Sequence, residues 1–177
     1  MERKLTTPIN DQARESLKAG QEVLISGYIY TGRDAAHKLM VDAIDKQEPL
    51  PFDVNQQVIY YVGPTPAKPG QVIGACGPTS SYRMDAFSPK LMEKGLKVMI
   101  GKGPRSDEFI EELKKHKAVY LLAIGGLGAK LSQTVKENKV IAYPHLDSEA
   151  VRQLKVVEFP AIVAIDSKGN TVFNNNI

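Results

Sequence analysis

Cysteine is nearly missing from this sequence: Cys76 is the single one among 177 residues. One thiol cannot build a disulfide framework, a structural zinc site or an iron–sulfur site within one chain. At the end of an apolar run, Cys76 reads as a buried, inert thiol. Histidine is scarce as well, and His37, His116 and His145 show no metal-ligand spacing. No Ser-His-Asp order points to a nucleophilic triad. Apolar runs are short, none approaching the roughly 18 residues that a membrane span needs. The first residues, MERKLTTPIND, carry charge but no apolar stretch of the kind a secretory signal has. The cytoplasm is therefore the expected compartment. An excess of one charge is missing too: the net charge is only +3, which by itself implies neither nucleic acid nor an anionic membrane as partner. Internal repeats are absent, and the one biased tract is the terminal NNNI, expected to fray.

What is present is a 42% hydrophobic, 24% charged chain, the mix of one globular domain with a core. A single domain over residues 1–177 is expected, with no linker dividing it. EVLISGYIYTG is rich in β-branched and aromatic residues and reads as a strand ending at Gly32. DAAHKLMVDAIDKQ places Ala36, Met40 and Ile44 at helical spacing. QVIYYVG is a strand, and the turn-rich PTPAKPG leads to QVIGACG, a second strand that pairs with it as a hairpin. MDAFSPKLMEKG is a helix stopped by Gly95, with Pro89 making its start a separate short element. LKVMIG is a strand. SDEFIEELKKHK is a helix with Ser106 as cap, acids in its first turn and lysines in its last. AVYLLAIGG and KVIAYPHL are strands around a short helix, LGAKLSQTV. Toward the end, KVVEF and AIVAIDSKGNTVF are strands, with DSKGN as a hairpin turn. Alternating strands and helices in the middle favour a parallel sheet with covering helices. The fold class is α/β with mixed sheets.

Three junctions carry polar groups where ligands of α/β domains tend to bind, at the carboxyl ends of strands. They are YTGRDAAH with Arg33, CGPTSSYRMD with Thr79, Ser80 and Arg83, and MIGKGPRSDE with Lys102 and nearby Arg105. If the strands lie side by side, two arginines and a lysine converge, and their mutual repulsion calls for an anion or a partner's acids. Arginine grips a carboxylate through a planar fork and lysine adds a compact charge, so a small dicarboxylate suits the set. The plainer alternatives are that Arg33 pairs with Asp34 or a surface acid, that Thr79 or Ser80 is an N-cap, that Arg83 lies in a solvated first turn, and that Lys102 is a turn residue. His37 reads as a core or surface histidine. GKG lacks the spacing of a P-loop, and GGLGAKL matches only the start of a dinucleotide fingerprint.

TGRDAAH, GPTSSYRMD, GKGPRS and AIGGLGA, in this order, resemble the β subunit of two-subunit class I fumarate hydratases, which corresponds to the C-terminal domain of the single-chain enzymes. The related L-tartrate dehydratase β subunit shares the pattern. The resemblance runs from LTTPI to EFPAIVAIDSKGN, nearly the whole chain. It implies a swivelling β/β/α domain and reversible hydration of fumarate to L-malate, a step of the tricarboxylic acid cycle. It also implies a [4Fe-4S] cluster carried by an α subunit, whose unique iron acts as Lewis acid, in an assembly of two α and two β chains without nucleic acid or membrane. By the same resemblance Arg33, Arg83 and Lys102 clamp the substrate carboxylates, and Thr79 lies at the carbon that exchanges a proton. Asp34, His37 and Ser80 support them: Asp34 and His37 orient Arg33 and the helix start, and Ser80 stands where the family usually has a second threonine. A non-catalytic anion- or nucleotide-binding module, or a scaffold whose cations dock a partner's acids, remains the rival reading.

Overall fold

The computed structural model describes residues 2–124 and 128–173. Seven strands form one mixed sheet: β1 (Arg3–Thr6), β2 (Glu22–Thr31), β3 (Val58–Tyr60), β4 (Val98–Gly101), β5 (Val119–Ala123), β6 (Val135–Ala142) and β7 (Val151–Ile165). Their order is β1-β2-β3-β4-β5-β7-β6, and β2 also pairs with β7. That extra pairing closes β2, β3, β4, β5 and β7 into a five-stranded barrel. β2 through β5 run parallel, while β7 is antiparallel to both β2 and β5. Five helices accompany the sheet: α1 (Asp11–Glu15), α2 (Asp34–Asp45), α3 (Ser88–Glu93), α4 (Asp107–His116) and α5 (Gly128–Ser132).

Both faces of β3 and β4 are buried, and alternation sorts the side chains of the barrel strands. Val58, Tyr60, Val98, Ile100, Val119 and Leu121 belong to the interior cluster with Ile29, Phe159 and Val163. Ile59, Met99 and Tyr120 point the other way, against Met40 of α2, Leu91 and Met92 of α3, and Phe109 and Leu113 of α4. Full burial of such a side chain stabilises the fold by roughly 1.5–3 kcal/mol each. These two layers fix the direction of β2, β3 and β4, and so set their carboxyl ends on one rim.

The expected α4 forms with Ser106 Oγ accepting from Phe109 N at 3.1 Å and with Lys114, Lys115 and His116 in its last turn. Pro89 does divide its stretch: a 3₁₀ turn, Ser81–Met84, precedes α3, and Gly95 follows at φ 104°. Two expectations fail. Residues 71–77 form no strand and no hairpin with β3. Both edges of β3 are already taken by β2 and β4, so its apolar neighbour has no edge to pair with. Ile73 and Cys76 instead plug the barrel interior, and Tyr60 Oη donates to the Cys76 carbonyl. KVVEF and AIVAI are one continuous strand, β7, passing through Pro160, and only a single bridge, Ile165 to Thr171, follows the DSKGN turn. The sheet is thus one mixed sheet rather than several. The NNNI tail and the GGL of GGLGAKL lie outside the described residues.

Candidate carboxylate-binding rim

The rim is built by backbone before side chains. Gly32 N, leaving β2, donates to Tyr60 O at 3.0 Å, and Tyr61 N, leaving β3, donates to Ile100 O at 2.8 Å. Beyond that point Thr79 N donates to Tyr61 O at 2.8 Å, and Ser81 N donates to Lys102 O at 3.0 Å. Ser80 bridges Lys102 in parallel. The segment GPTS therefore wedges between the diverging ends of β3 and β4, and carries Thr79 and Ser80 to the rim. This close approach needs Gly101: a Cβ there would fall 1.9 Å from Ser81 Oγ and 2.8 Å from a Tyr61 ring carbon. Ser81 Oγ accepts from Lys102 N at 3.0 Å and lies 2.8 Å from Tyr120 Oη, which also donates to Gly103 O at 2.8 Å.

Arg33 stands at the start of α2 but does not cap it. The helix takes its carboxylate from a distant segment, with Ala35 N donating to Glu149 Oε1 at 3.2 Å. Arg33 lies across Gly63, where a Cβ would fall 2.8 Å from Nη1 and 2.9 Å from Cδ. Its Nε is buried without an acceptor among the described residues. A buried unpaired donor costs about 1–3 kcal/mol, and an incoming carboxylate would remove that cost. Arg83 Nη2 donates to Asp34 Oδ1 at 2.9 Å, both side chains being about 40% exposed. Asp34 thus orients Arg83, not Arg33 as expected. Lys102 is exposed beside Ser80. Neither Thr79 nor Ser80 is a helix cap: Ser80 takes the cap position of the 3₁₀ turn without a side-chain bond.

His37 is fully buried under this rim. Its Nδ1–H donates to Arg33 O at 2.8 Å, and its ring meets Tyr61 edge-on and also borders Phe87. Burial pushes its pKa down from 6.5 to about 4, so it is neutral at pH 7. It is a support for the Arg33 backbone rather than a group facing solvent. The unfolded chain binds a proton on this histidine between about pH 6.5 and 4 while the folded chain does not, so stability falls with pH across that window and levels off below it. The expected loss from this group is on the order of 3 kcal/mol. Denaturant melts from pH 7 to 4.5 should show the decline, and His37→Gln should flatten it; an equal slope in both would remove His37 as the cause.

His116 sits beside Glu112 on α4 and His145 against the Tyr143 ring, so the three histidines do not gather. Sequence reasoning missed the residues beneath the rim. Tyr61, Ser81, Asp85, Ser88, Arg105 and Tyr120 form a buried polar network there, and Glu149 anchors α2. Asp85 and Arg105 were visible inside the motifs, but nothing local signals that they pair.

A family model for the fumarase C-terminus matches residues 2–176. The chain belongs to that family. Aerobic class I fumarate hydratase of Salmonella typhimurium is 38% identical over 151 residues, 84% of this chain and 26% of that protein. Fumarate hydratase 2 of Leishmania major is 34% identical over 178 residues, 98% of this chain and 31% of that protein. The chain therefore spans less than a third of the length of these two fumarate hydratases. A Methanocaldococcus jannaschii protein, provisionally named L(+)-tartrate dehydratase subunit beta, is 36% identical over 167 residues, 90% of this chain and 85% of that one. The relatives are hydratases and dehydratases. In this fumarase C-terminus chain the donors do not fit an iron–sulfur cluster. Cys76 is the single cysteine and is packed in the barrel interior, where burial pushes its thiol up to about 11. Among the described residues no three His, Cys, Asp or Glu side chains gather. No helix among them is long and apolar enough to cross a membrane.

Proposed function

We propose that this chain is the β subunit of a class I hydro-lyase that reversibly hydrates fumarate to L-malate, at a site completed by an α subunit holding the [4Fe-4S] cluster. One observation carries the reading: Arg33, Arg83, Thr79 and Lys102 stand on one rim at the ends of β2, β3 and β4, with Arg33 Nε buried and without an acceptor among the described residues. Arg33 and Arg83 would take the two substrate carboxylates through forked hydrogen bonds, Asp34 holding one edge of Arg83 and leaving the other for the ligand. Lys102 would add a point charge, and the Thr79 hydroxyl would hold or pass the proton at carbon. The swivelling of this β/β/α unit against its partner, and an assembly of two α and two β chains, belong to the same proposal.

The high coverage of the M. jannaschii relative favours a second reading, an L-tartrate dehydratase β subunit with the same rim. Co-expression with a cluster-bearing partner chain and turnover assays on fumarate, L-malate and L-tartrate separate the two. Fumarate hydration by an oxygen-sensitive complex is expected. Turnover on L-tartrate alone would shift the assignment. An inactive chain that binds phosphate ligands without a partner would replace both with a binding module.

Gly63 tests the seat of Arg33. Gly63→Ala would drive a methyl into Arg33 Nη1 and Cδ, and is expected to lower kcat/KM by about 10- to 100-fold through a misplaced carboxylate. Steady-state kinetics of the assembled enzyme check this, and unchanged kcat/KM would detach Arg33 from substrate.

A further inference from the structure

Arg105 was visible in the sequence only as a cation near a glycine turn. In the fold its side chain is completely buried, and its Nε donates to Asp85 Oδ1. Its Nη2 donates to Ser88 Oγ at 3.2 Å. Ser88 Oγ in turn lies 3.0 Å from Tyr61 Oη and donates to Met84 O at 2.9 Å. The second oxygen of Asp85 accepts from Ser106 N at 2.7 Å. The guanidinium carbon sits 3.6 Å from the Phe109 ring centre, 4.8 Å from Tyr120 and 5.2 Å from Tyr61.

Those contacts touch the segments that carry Arg83, Thr79 and Lys102. Asp85 and Met84 end the 3₁₀ turn that carries Arg83. Tyr61 is the residue whose carbonyl holds Thr79 N. Tyr120 reaches Ser81 and Gly103, on either side of Lys102. A buried ion pair is weak as a stabiliser, since losing water from both ions offsets most of their attraction. A planar fork that stacks on rings while bonding two acceptors in different directions is strong at fixing geometry. The pair at the centre of this cluster is largely shielded from solvent: the Arg105 and Asp85 side chains are 0% and 14% exposed.

We infer that Arg105 is a positioning residue of the rim: through Asp85 and Ser88 it sets the pitch of the Ser81–Met84 turn, and so the placement of Arg83 and Thr79 against Lys102. The inference rests on the hydro-lyase reading for its kinetic test but not for its structural one. Replacing the whole pair by apolar residues, Arg105→Met with Asp85→Leu, removes both ions together and should leave the chain folded, its thermal midpoint lowered only by the lost acceptor of Ser106 N. In the assembled enzyme the same variant should lose about 100-fold or more in kcat/KM, the cost of misplaced groups. Arg105→Lys, which keeps charge but not the fork, should lose activity in the same direction. A folded double variant with wild-type kinetics overturns the inference. So does failure of both variants to fold, which would make Arg105 a purely structural residue.

The second readout needs no turnover. In the full chain labelled with nitrogen-15, the Nε–H resonance of Arg83 should shift in Arg105→Lys, because its turn is re-pitched. An unmoved Arg83 resonance overturns the inference. If wild-type complex shows no hydratase activity, that failure falls on the proposed function, and the Arg83 resonance still decides the role of Arg105.

Discussion

Arg83→Ala is expected to lower turnover of the assembled enzyme by about 100- to 1000-fold, the range seen when one preorganised donor is removed from a reacting charge. The chain itself should fold as before. Arg83 lies in a 3₁₀ turn, more than a third exposed, and its partner Asp34 is equally exposed. A half-solvated pair of this kind contributes about 0–1 kcal/mol to stability. The backbone of the turn is held independently, by Ser81 N on Lys102 O and by Asp85 on Arg105 and Ser106. The effect should therefore fall on substrate, not on fold. Loss of Arg83 also leaves the Asp34 carboxylate without its counter-ion beside the site, so a pair that is neutral overall becomes one uncompensated negative charge. Arg83→Lys should recover only part of the activity, because an ammonium cannot hold Asp34 on one edge and a carboxylate on the other. Circular dichroism and a thermal melt establish the fold, and initial rates on fumarate and malate establish the loss. Near-wild-type rates in a complex containing Arg83→Ala would remove the clamp assignment.

The local elements were legible where short-range chemistry decides them. Ser106 before DEF and the lysines after it predict α4 from the cap and dipole alone. QVIYYVG reads as a strand from its β-branched and aromatic residues, and it is one, though beside β2 and β4 instead of in the expected hairpin. Closure of the barrel was not legible, because it depends on β2 meeting β7 over more than a hundred residues of chain. The run QVIGACG misled for a related reason. Its apolar residues fit a strand, but the same pattern fits a plug, and only the occupied edges of β3 choose between them.

The rim shows the same division. Three cationic junctions could be read from the motifs, but only two follow strands: Arg33 and Lys102 stand where the parallel β2 and β4 end, and GPTS, which follows no strand, reaches the same edge by bonding Tyr61 and Lys102. The partners of those cations were less legible. Asp34 is adjacent to Arg33 in sequence, yet it pairs with Arg83, 49 positions away, because the helical start turns its carboxylate across the rim. Arg105 stood in the sequence only as a cation near Lys102, and three aromatic rings from different elements had to converge before it became a buried support. Glu149 took the capping role at α2 that no residue near Arg33 could fill.

Thr79→Val should cost about 10²- to 10⁴-fold in turnover, the usual contribution of a positioned acid or base. The substitution is close to isosteric, and the Thr79 backbone N–H remains on Tyr61 O at 2.8 Å, so the hydroxyl is the only group removed. A hydroxyl is a poor base, about as weakly acidic as water itself. A cation about 4 Å away at an effective dielectric of 20 is worth roughly 4 kcal/mol, or about 3 pKa units. Arg83, four residues on, and Lys102, bridged to Ser80, are the two cations placed to act, and both would push the hydroxyl toward ionisation. The remaining gap must come from water exclusion when a partner covers the open rim, or from a partner carboxylate that takes the proton onward. Thr79→Val separates a hydroxyl that carries the proton from one that only orients the substrate. If the hydroxyl carries the proton, exchange of the carbon-bound hydrogen of malate with deuterated solvent should fall in step with turnover. If the hydroxyl only orients the substrate, exchange and turnover should both survive within about tenfold. Unchanged turnover in Thr79→Val, with Arg83→Ala still inactive, would leave this chain as a carboxylate clamp whose proton chemistry lies wholly in its partner.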